Sequence, residues 1–198
     1  MIMNTPSSLP LSWLQILLQD TQLSQFELVQ SLWSDFGQLL RCYSPARQAS
    51  VIIKLISQPA TFRHPRGWSS QHSLKRKWRS YEIEQYFYTH YAPLFAGHGN
   101  LAKLITSDAQ NNESETHLAL VLSDLNAAGF EYRHQQLSAS ACKPVLAWLA
   151  AFHARFIHQV PDGLWPQGSY WHLATRPDEF SKMAEGPLKQ FGPAFDKT

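Results

Sequence analysis

The feature that most constrains the fold is a run from Val51 to Ile56 that is apolar except for Lys54. A strand that is apolar on both faces is covered on both sides, so this run predicts a central strand of a sheet. Burying an ammonium group without a partner is costly. We therefore expect Lys54 either to pair with an acid or to serve an anionic ligand. The alternative is a lysine whose side chain extends to the edge of the sheet.

The segments around this strand follow an order that is typical of an α+β protein. Strand patterns are predicted at 26–33, 38–43, 50–56, 101–107 and 117–122, and helical patterns at 10–19, 74–91, 140–157 and 176–191. Tight turns are predicted at 34–37 and 44–47. Three strands, a helix and two strands, followed by helices, predict a five-stranded antiparallel sheet with one helix, joined to the start of a helical lobe.

The composition excludes several classes of protein. Of the 198 residues, 44% are hydrophobic and 16% are charged, which is too apolar for a disordered chain. The cysteines, Cys42 and Cys142, are far apart and match no ligand spacing, which argues against a disulfide scaffold and a zinc site. No run approaches the ~18 apolar residues that a membrane span requires. We therefore expect a cytoplasmic protein without a membrane partner.

An acid that can pair with Lys54 is predicted on the helix that follows. Glu84 shares a stripe of this helix with Tyr81 and Tyr88, so its carboxylate is expected among aromatic side chains that face the sheet. Glu82 lies on nearly the opposite side of the helix and is expected to face solvent. In kinase-type folds, a strand lysine held by a helix glutamate presents its ammonium group to nucleotide phosphates.

Motifs of one known superfamily occur along nearly the whole chain in the right order. They are SVIIKLI at 50–56, HPRGW at 64–68 with KRKWRSYEIEQYFY at 75–88, HLALVLSDLNAAGF at 117–130, WLAAFHARF at 148–156 and GLWPQGSYWHLATRPDE at 163–179. The chain thereby resembles the aminoglycoside-phosphotransferase and choline-kinase-like superfamily, in the branch grouped with ecdysteroid-kinase-like proteins. This resemblance implies a protein-kinase-like N-lobe at 1–122, an inter-lobe linker at 123–130 and the start of a helical C-lobe at 131–198.

The resemblance also implies a site for ATP with Mg²⁺. Lys54 is similar to the strand lysine that contacts the phosphates, and Glu84 is similar to its helix partner. The turn at 34–37 occupies the place of the hairpin loop that covers the nucleotide in this superfamily. The contacts implied for that turn involve Ser34, Phe36 and Gly37.

The inter-lobe linker is the second part of the implied nucleotide site. Ser123, Asp124 and Leu125 match the segment whose backbone groups meet the adenine in this superfamily. The family usually has an acidic residue at the position of Ser123. The resemblance therefore implies a backbone contact there rather than a side-chain contact.

The catalytic loop of the superfamily is not found in this sequence. That loop reads approximately His-Gly-Asp followed by Asn, and a later Asp binds Mg²⁺, whereas the 198 residues contain no His-Gly-Asp. Phosphoryl transfer requires a carboxylate for the acceptor hydroxyl and oxygen ligands for the metal. We therefore expect an N-terminal fragment of a kinase that acts on a small hydroxyl substrate, inactive on its own, with no catalytic residue and no metal ligand in this chain.

Two other functions are compatible with the sequence. The first is a non-catalytic nucleotide-binding or interaction module, which could self-associate through an apolar face of the helix at 140–157. The stripe of that helix expected to be buried consists of Val145, Leu149, Phe152 and Phe156. The second is nucleic-acid binding through the basic stretch at 63–79, but a net charge of only +2 makes a solvated surface the favoured interpretation, without a nucleic-acid partner.

Overall fold

A computed structural model describes residues 10–32, 36–57, 71–111, 116–168 and 172–177 of the chain. The chain divides into two compact units, one formed by Met1–Ala60 and Gln85–Val160 and the other by Thr61–Glu84 and Pro161–Thr198. The helix predicted at 176–191 lies outside the described residues from position 178 onward.

The first unit is built on a five-stranded antiparallel sheet, which confirms the predicted α+β, kinase-like fold class. The strands are β1 (Ser24–Ser31), β2 (Gly37–Ser44), β3 (Ala49–Ser57), β4 (Leu104–Asn111) and β5 (Thr116–Ser123). Their order in the sheet is β1-β2-β3-β5-β4. Strand β3 therefore lies at the centre, as its two apolar faces predict, and it pairs with β2 on one side and β5 on the other.

Helix α1 (Leu11–Leu18) covers one face of this sheet. Its buried residues Trp13, Leu14 and Leu18 form one core cluster with side chains from β2, β3 and β5. The sheet side of that cluster consists of Leu40, Cys42, Val51, Ile53, Leu55, Ala119 and Val121. Trp13 Nε1 also donates a hydrogen bond of 2.7 Å to Asp108 on β4, which attaches the helix to the sheet by a polar contact as well.

Strand β4 differs from the prediction because it begins and ends later. The apolar pattern predicted 101–107, whereas the strand spans Leu104–Asn111 and includes polar residues that were expected in a loop. Within the described residues β4 is an edge of the sheet, so one of its sides is not paired and polar side chains are tolerated there. Pairing with β5, rather than local hydrophobicity, determines where this strand ends.

Two further helices follow the predicted pattern closely. Helix α2 spans Gln71–His90, three residues longer at its start than predicted. Helix α3 spans Ala139–Phe156, and the Ser138 side chain caps its first turn by accepting a hydrogen bond from the Ala141 amide. Among the described residues, no helix combines the length and apolar character needed to cross a membrane.

The predicted buried stripe of α3 is only half correct. Phe152 and Phe156 pack against Phe95, with ring centroids 5.1 and 6.5 Å away. Val145 and Leu149, however, are 45% and 36% exposed. A different side of α3 from the predicted stripe faces the rest of the unit. Two polar contacts hold that side: Trp148 Nε1 donates to Asn100 O, and Arg155 Nε donates to Leu94 O.

Part of the exposed surface of α3 is apolar. It carries Val145, Leu146 and Leu149, and Ile157 follows directly after the helix. Self-association through this face stays a prediction, because an exposed face does not by itself identify a partner.

A buried aspartate anchors the connection between α1 and the sheet. Asp20 accepts hydrogen bonds from the Ser44 hydroxyl at 2.6 Å, the Ala46 amide at 3.0 Å and the Gln22 amide at 2.9 Å. These three donors, Ser44 first, hold the pKa of Asp20 below its ordinary value. The turn predicted at 44–47 is present as a short 3-10 helix, Pro45–Arg47, and Asp20 binds its first turn.

Replacing Asp20 by asparagine should lower the midpoint of thermal unfolding at pH 7. Because the folded-state pKa is below the unfolded value, the carboxylate stabilises the fold above the unfolded pKa, and this contribution is lost as the pH falls through the folded pKa. The difference between the native chain and Asp20→Asn should therefore shrink toward zero at acidic pH. Circular dichroism melts from pH 7 to 2 measure it; the exposed Glu131→Gln is the control, and a pH-independent difference would contradict the assignment.

Candidate functional site

Lys54 occupies the middle of the central strand, on the face of the sheet opposite α1. Its Cα is in register with Leu39 of β2 and Leu120 of β5, whereas the residues on either side of it, Ile53 and Leu55, belong to the core under α1. Alternation along a strand places Lys54 on the other face.

The immediate surroundings of Lys54 on that face are apolar. Ile52 and Ile56, two positions away in each direction, are buried, and so is Leu120 across the ladder. The Lys54 side chain itself is half-buried. The sheet residues beside this cation are therefore apolar, and low polarity around a charge strengthens its interaction with an opposite charge.

The C-terminal part of α2 contacts the same face of the sheet. Gln85 Nε2 donates a hydrogen bond of 2.9 Å to the Ser107 hydroxyl of β4. Ser107 is in register with Leu120, and Leu120 is in register with Lys54, so the three residues form one row across the sheet.

The predicted acid, Glu84, precedes Gln85 directly in α2 and is half-buried. Lys54 and Glu84 belong to different compact units, so their ion pair stays a prediction. Glu82 is on the solvent side as expected, since its carboxylate pairs with the exposed Arg79 at 3.1 Å and is 44% exposed.

Phe36 and Gly37 lie at the base of the predicted nucleotide-covering turn, and Ser34 lies outside the described residues. The Phe36 carbonyl accepts a hydrogen bond from the Ser57 amide, and the Gly37 carbonyl accepts one from the Leu32 amide, both at 2.8 Å. The Phe36 side chain is fully buried. Both residues therefore join β2 to its neighbours, and their contact with a nucleotide stays a prediction.

The linker after β5 is attached to β4 through Ser123. The Ser123 amide donates to Lys103 O, and the Ser123 hydroxyl accepts from the Lys103 amide, each at 2.9 Å. The Ser123 side chain, at the position where the family usually has an acid, is therefore hydrogen-bonded to the backbone just before β4. Leu125 then begins a short 3-10 helix, Leu125–Ala128, which ends at Gly129 with a φ of +89°.

The side chain of Asp124 makes contacts that the sequence did not predict, while the predicted backbone contact of Asp124 with a nucleotide stays a prediction. Its buried carboxylate accepts a hydrogen bond of 2.7 Å from Arg41 Nε and one of 3.1 Å from the Asn126 amide. Arg41 Nη1 also donates to Glu27 at 2.8 Å. The hydrogen bond to Asp124 is the main reason why the pKa of Arg41 is raised.

Arg41 was missed by sequence reasoning, although one signal was available. It is the first basic residue of the chain and interrupts a strand whose neighbours Leu40 and Cys42 are apolar. Alternation would have placed Arg41 on the face of β2 opposite to Leu40 and Cys42, and the register with β3 shows that this is the face of Lys54. Its partner Asp124, 83 residues away, could not have been identified without the strand order.

The basic stretch of α2 makes contacts within the second unit. Arg76 donates to Thr175 O at 2.9 Å and to the Ser73 hydroxyl at 3.3 Å. Lys77 lies 5.8 Å from the centre of the Tyr81 ring. Part of the basic stretch therefore binds other residues of this chain.

Within the described residues, a five-stranded antiparallel sheet with a helix between its third and fourth strands, followed by further helices, is the arrangement of a kinase-like N-lobe. A model of the ecdysteroid kinase-like family matches residues 44–158, which is more than half of the chain. The chain belongs to the ecdysteroid kinase-like family. No curated protein matches it. The family match includes β3, α2, the linker and α3, but not the turn at 34–37.

Proposed function

We propose that this chain forms the nucleotide-binding part of an ATP-dependent phosphotransferase that passes the γ-phosphate to a hydroxyl group of a small molecule. The observation that carries the proposal is Lys54, a half-buried cation in an apolar face of the central strand and inside the family match. The kinase-like family relationship supports the class of reaction.

In this proposal Lys54 is the group that binds the phosphates. Its ammonium neutralises negative charge on the phosphate oxygens, and the apolar neighbours Ile52, Ile56 and Leu120 exclude water that would screen the interaction. The proposed partner that positions this ammonium group is Glu84, as the family resemblance implies.

The linker at 123–125 receives the nucleobase in this proposal. The two hydrogen bonds of Ser123 to Lys103 and the contacts of the Asp124 carboxylate hold its backbone in one conformation. Backbone N–H and C=O groups of such a fixed segment provide the directional hydrogen bonds that orient a base.

The metal that kinases of this type use with ATP is not accounted for by the described residues. Within them, no group of three or more His, Cys, Asp and Glu side chains is placed to hold a metal ion. Mg²⁺ supplies charge neutralisation when it is bound with ATP. The chain's own contribution in this proposal is to bind and orient the nucleotide.

The test is a calorimetric titration of the chain with ATP and Mg²⁺, followed by an assay for phosphate transfer. We expect saturable binding of one nucleotide and no phosphorylated product with a panel of hydroxyl compounds that includes an ecdysteroid, since the 198 residues contain no His-Gly-Asp. Absence of nucleotide binding would contradict the proposed function.

Transfer to a hydroxyl compound would contradict only the expectation that this chain is inactive alone. Binding without transfer is also what a non-catalytic nucleotide-binding module would show. A DNA duplex titrated at low salt is the control for the basic stretch, and salt-sensitive binding to it would favour a nucleic-acid function instead.

A further inference from the structure

The ion pair between Arg41 and Asp124 crosses the central strand. Arg41 on β2 is in register with Ile52 on β3, and Ile52 is in register with Leu122 on β5, two residues before Asp124. The arginine side chain therefore extends past β3 to reach the linker. It does so on the face of the sheet that also carries Lys54, because Ile52 and Lys54 are two positions apart on β3.

This ion pair is well suited to fix the linker. The Asp124 side chain is 5% exposed and the Arg41 side chain is 21% exposed, so the contact is largely shielded from solvent. Arg41 donates hydrogen bonds to both carboxylate oxygens of Asp124, at 2.7 Å from Nε and at 3.5 Å from Nη2. A shielded guanidinium–carboxylate pair with this directional geometry holds the backbone beside Asp124 in one position.

The distance between this ion pair and Lys54 matches the length of an extended nucleotide. The linker begins about 10–13 Å from Lys54 along the strand direction, which is three to four residues of an extended strand. An extended nucleoside triphosphate spans such a distance. Phosphates at Lys54 would then place the base beside the segment that Arg41 holds.

We propose that Arg41 is a positioning residue for nucleobase recognition: through Asp124 it holds the linker backbone where the base binds. The inference rests on the proposed function, since it concerns the base end of the same nucleotide site. It separates two roles along one face of the sheet, with Lys54 responsible for the phosphates and Arg41 for the geometry of the base site.

The test compares ATP with CTP, which carries the same phosphates but a different base. The native chain should prefer ATP. The double variant Arg41→Gln/Asp124→Asn removes both charges, so no buried charge is left without a partner. It should weaken ATP binding at least about tenfold and change CTP binding less than about twofold, because only the base contacts are displaced.

Two further variants separate positioning from a general structural effect. Glu27→Gln removes the exposed partner of the same arginine and should change both affinities less than about twofold. Arg41→Lys keeps the charge without the planar fork and should restore part of the preference for ATP. Lys54→Met should weaken ATP and CTP by the same factor.

Each outcome of this comparison is decisive. A native chain that binds ATP and CTP equally well would overturn the inference and leave the proposed function standing. Equal losses of both nucleotides in the double variant, or no loss of ATP binding, would do the same. A native chain that binds neither nucleotide would contradict the proposed function itself.

Discussion

Replacing Lys54 by methionine is expected to weaken ATP binding about 10- to 100-fold, because a hydrogen bond to a charged group contributes roughly 1.5–3 kcal/mol. Methionine preserves the length and apolar stem of the side chain, so the packing among Ile52, Ile56 and Leu120 should be retained. The affinity is measured by calorimetric titration. A matched control is Lys143→Met, which removes the same charge from an exposed position on α3 and should leave ATP binding unchanged.

The role of Glu84 is tested in the same experiment by a double-mutant cycle. Glu84→Gln alone should weaken ATP binding by misplacing Lys54, but it should add nothing in the presence of Lys54→Met, since the residue it positions is then absent. Glu82→Gln is the matched control, because Glu82 pairs with Arg79 on the exposed side of the same helix. Independent, additive effects of the two substitutions would contradict the predicted ion pair.

Replacing Gly37 by alanine is expected to have the largest effect on stability. Its φ is +133°, and a Cβ atom at this position would lie 2.0 Å from the Leu55 carbonyl oxygen of β3. Backbone strain of this kind costs about 1–3 kcal/mol, and relieving the clash requires β2 and β3 to separate at additional cost. The free energy of unfolding should therefore fall by at least about 3 kcal/mol, as measured by urea denaturation.

Gly129→Ala provides the control for this substitution. Gly129 also has a positive φ, +89°, but a Cβ atom there would meet nothing within 4 Å. Only the conformational cost of about 1–2 kcal/mol should remain. If both substitutions destabilise the chain equally, the close approach of Gly37 to β3 is not what requires a glycine.

Local patterns were sufficient to predict most of the elements. Strand β3 was recognised because its apolar residues are consecutive, and α1 and α2 because their apolar residues recur with helical spacing. These apolar patterns show only which side of a segment is buried. They can therefore be read from the sequence without knowing which other segment packs against that side.

The errors occurred where a particular neighbour determines the outcome. Strand β4 extends to Asn111 because β5 pairs with it, although its own sequence is polar there. Val145 and Leu149 are exposed because Trp148 and Arg155 attach α3 by a different side. In both cases the local pattern was compatible with more than one arrangement.

The amino-acid sequence alone determined the class of fold, the central position of β3 and the presence of one lysine in its apolar run, because hydrophobic periodicity is a local property. Only the tertiary structure decided that Arg41 meets Asp124 across β3, and that Gly37 must lack a side chain beside Leu55. These contacts depend on strand order and register, which bring together residues that are distant along the chain.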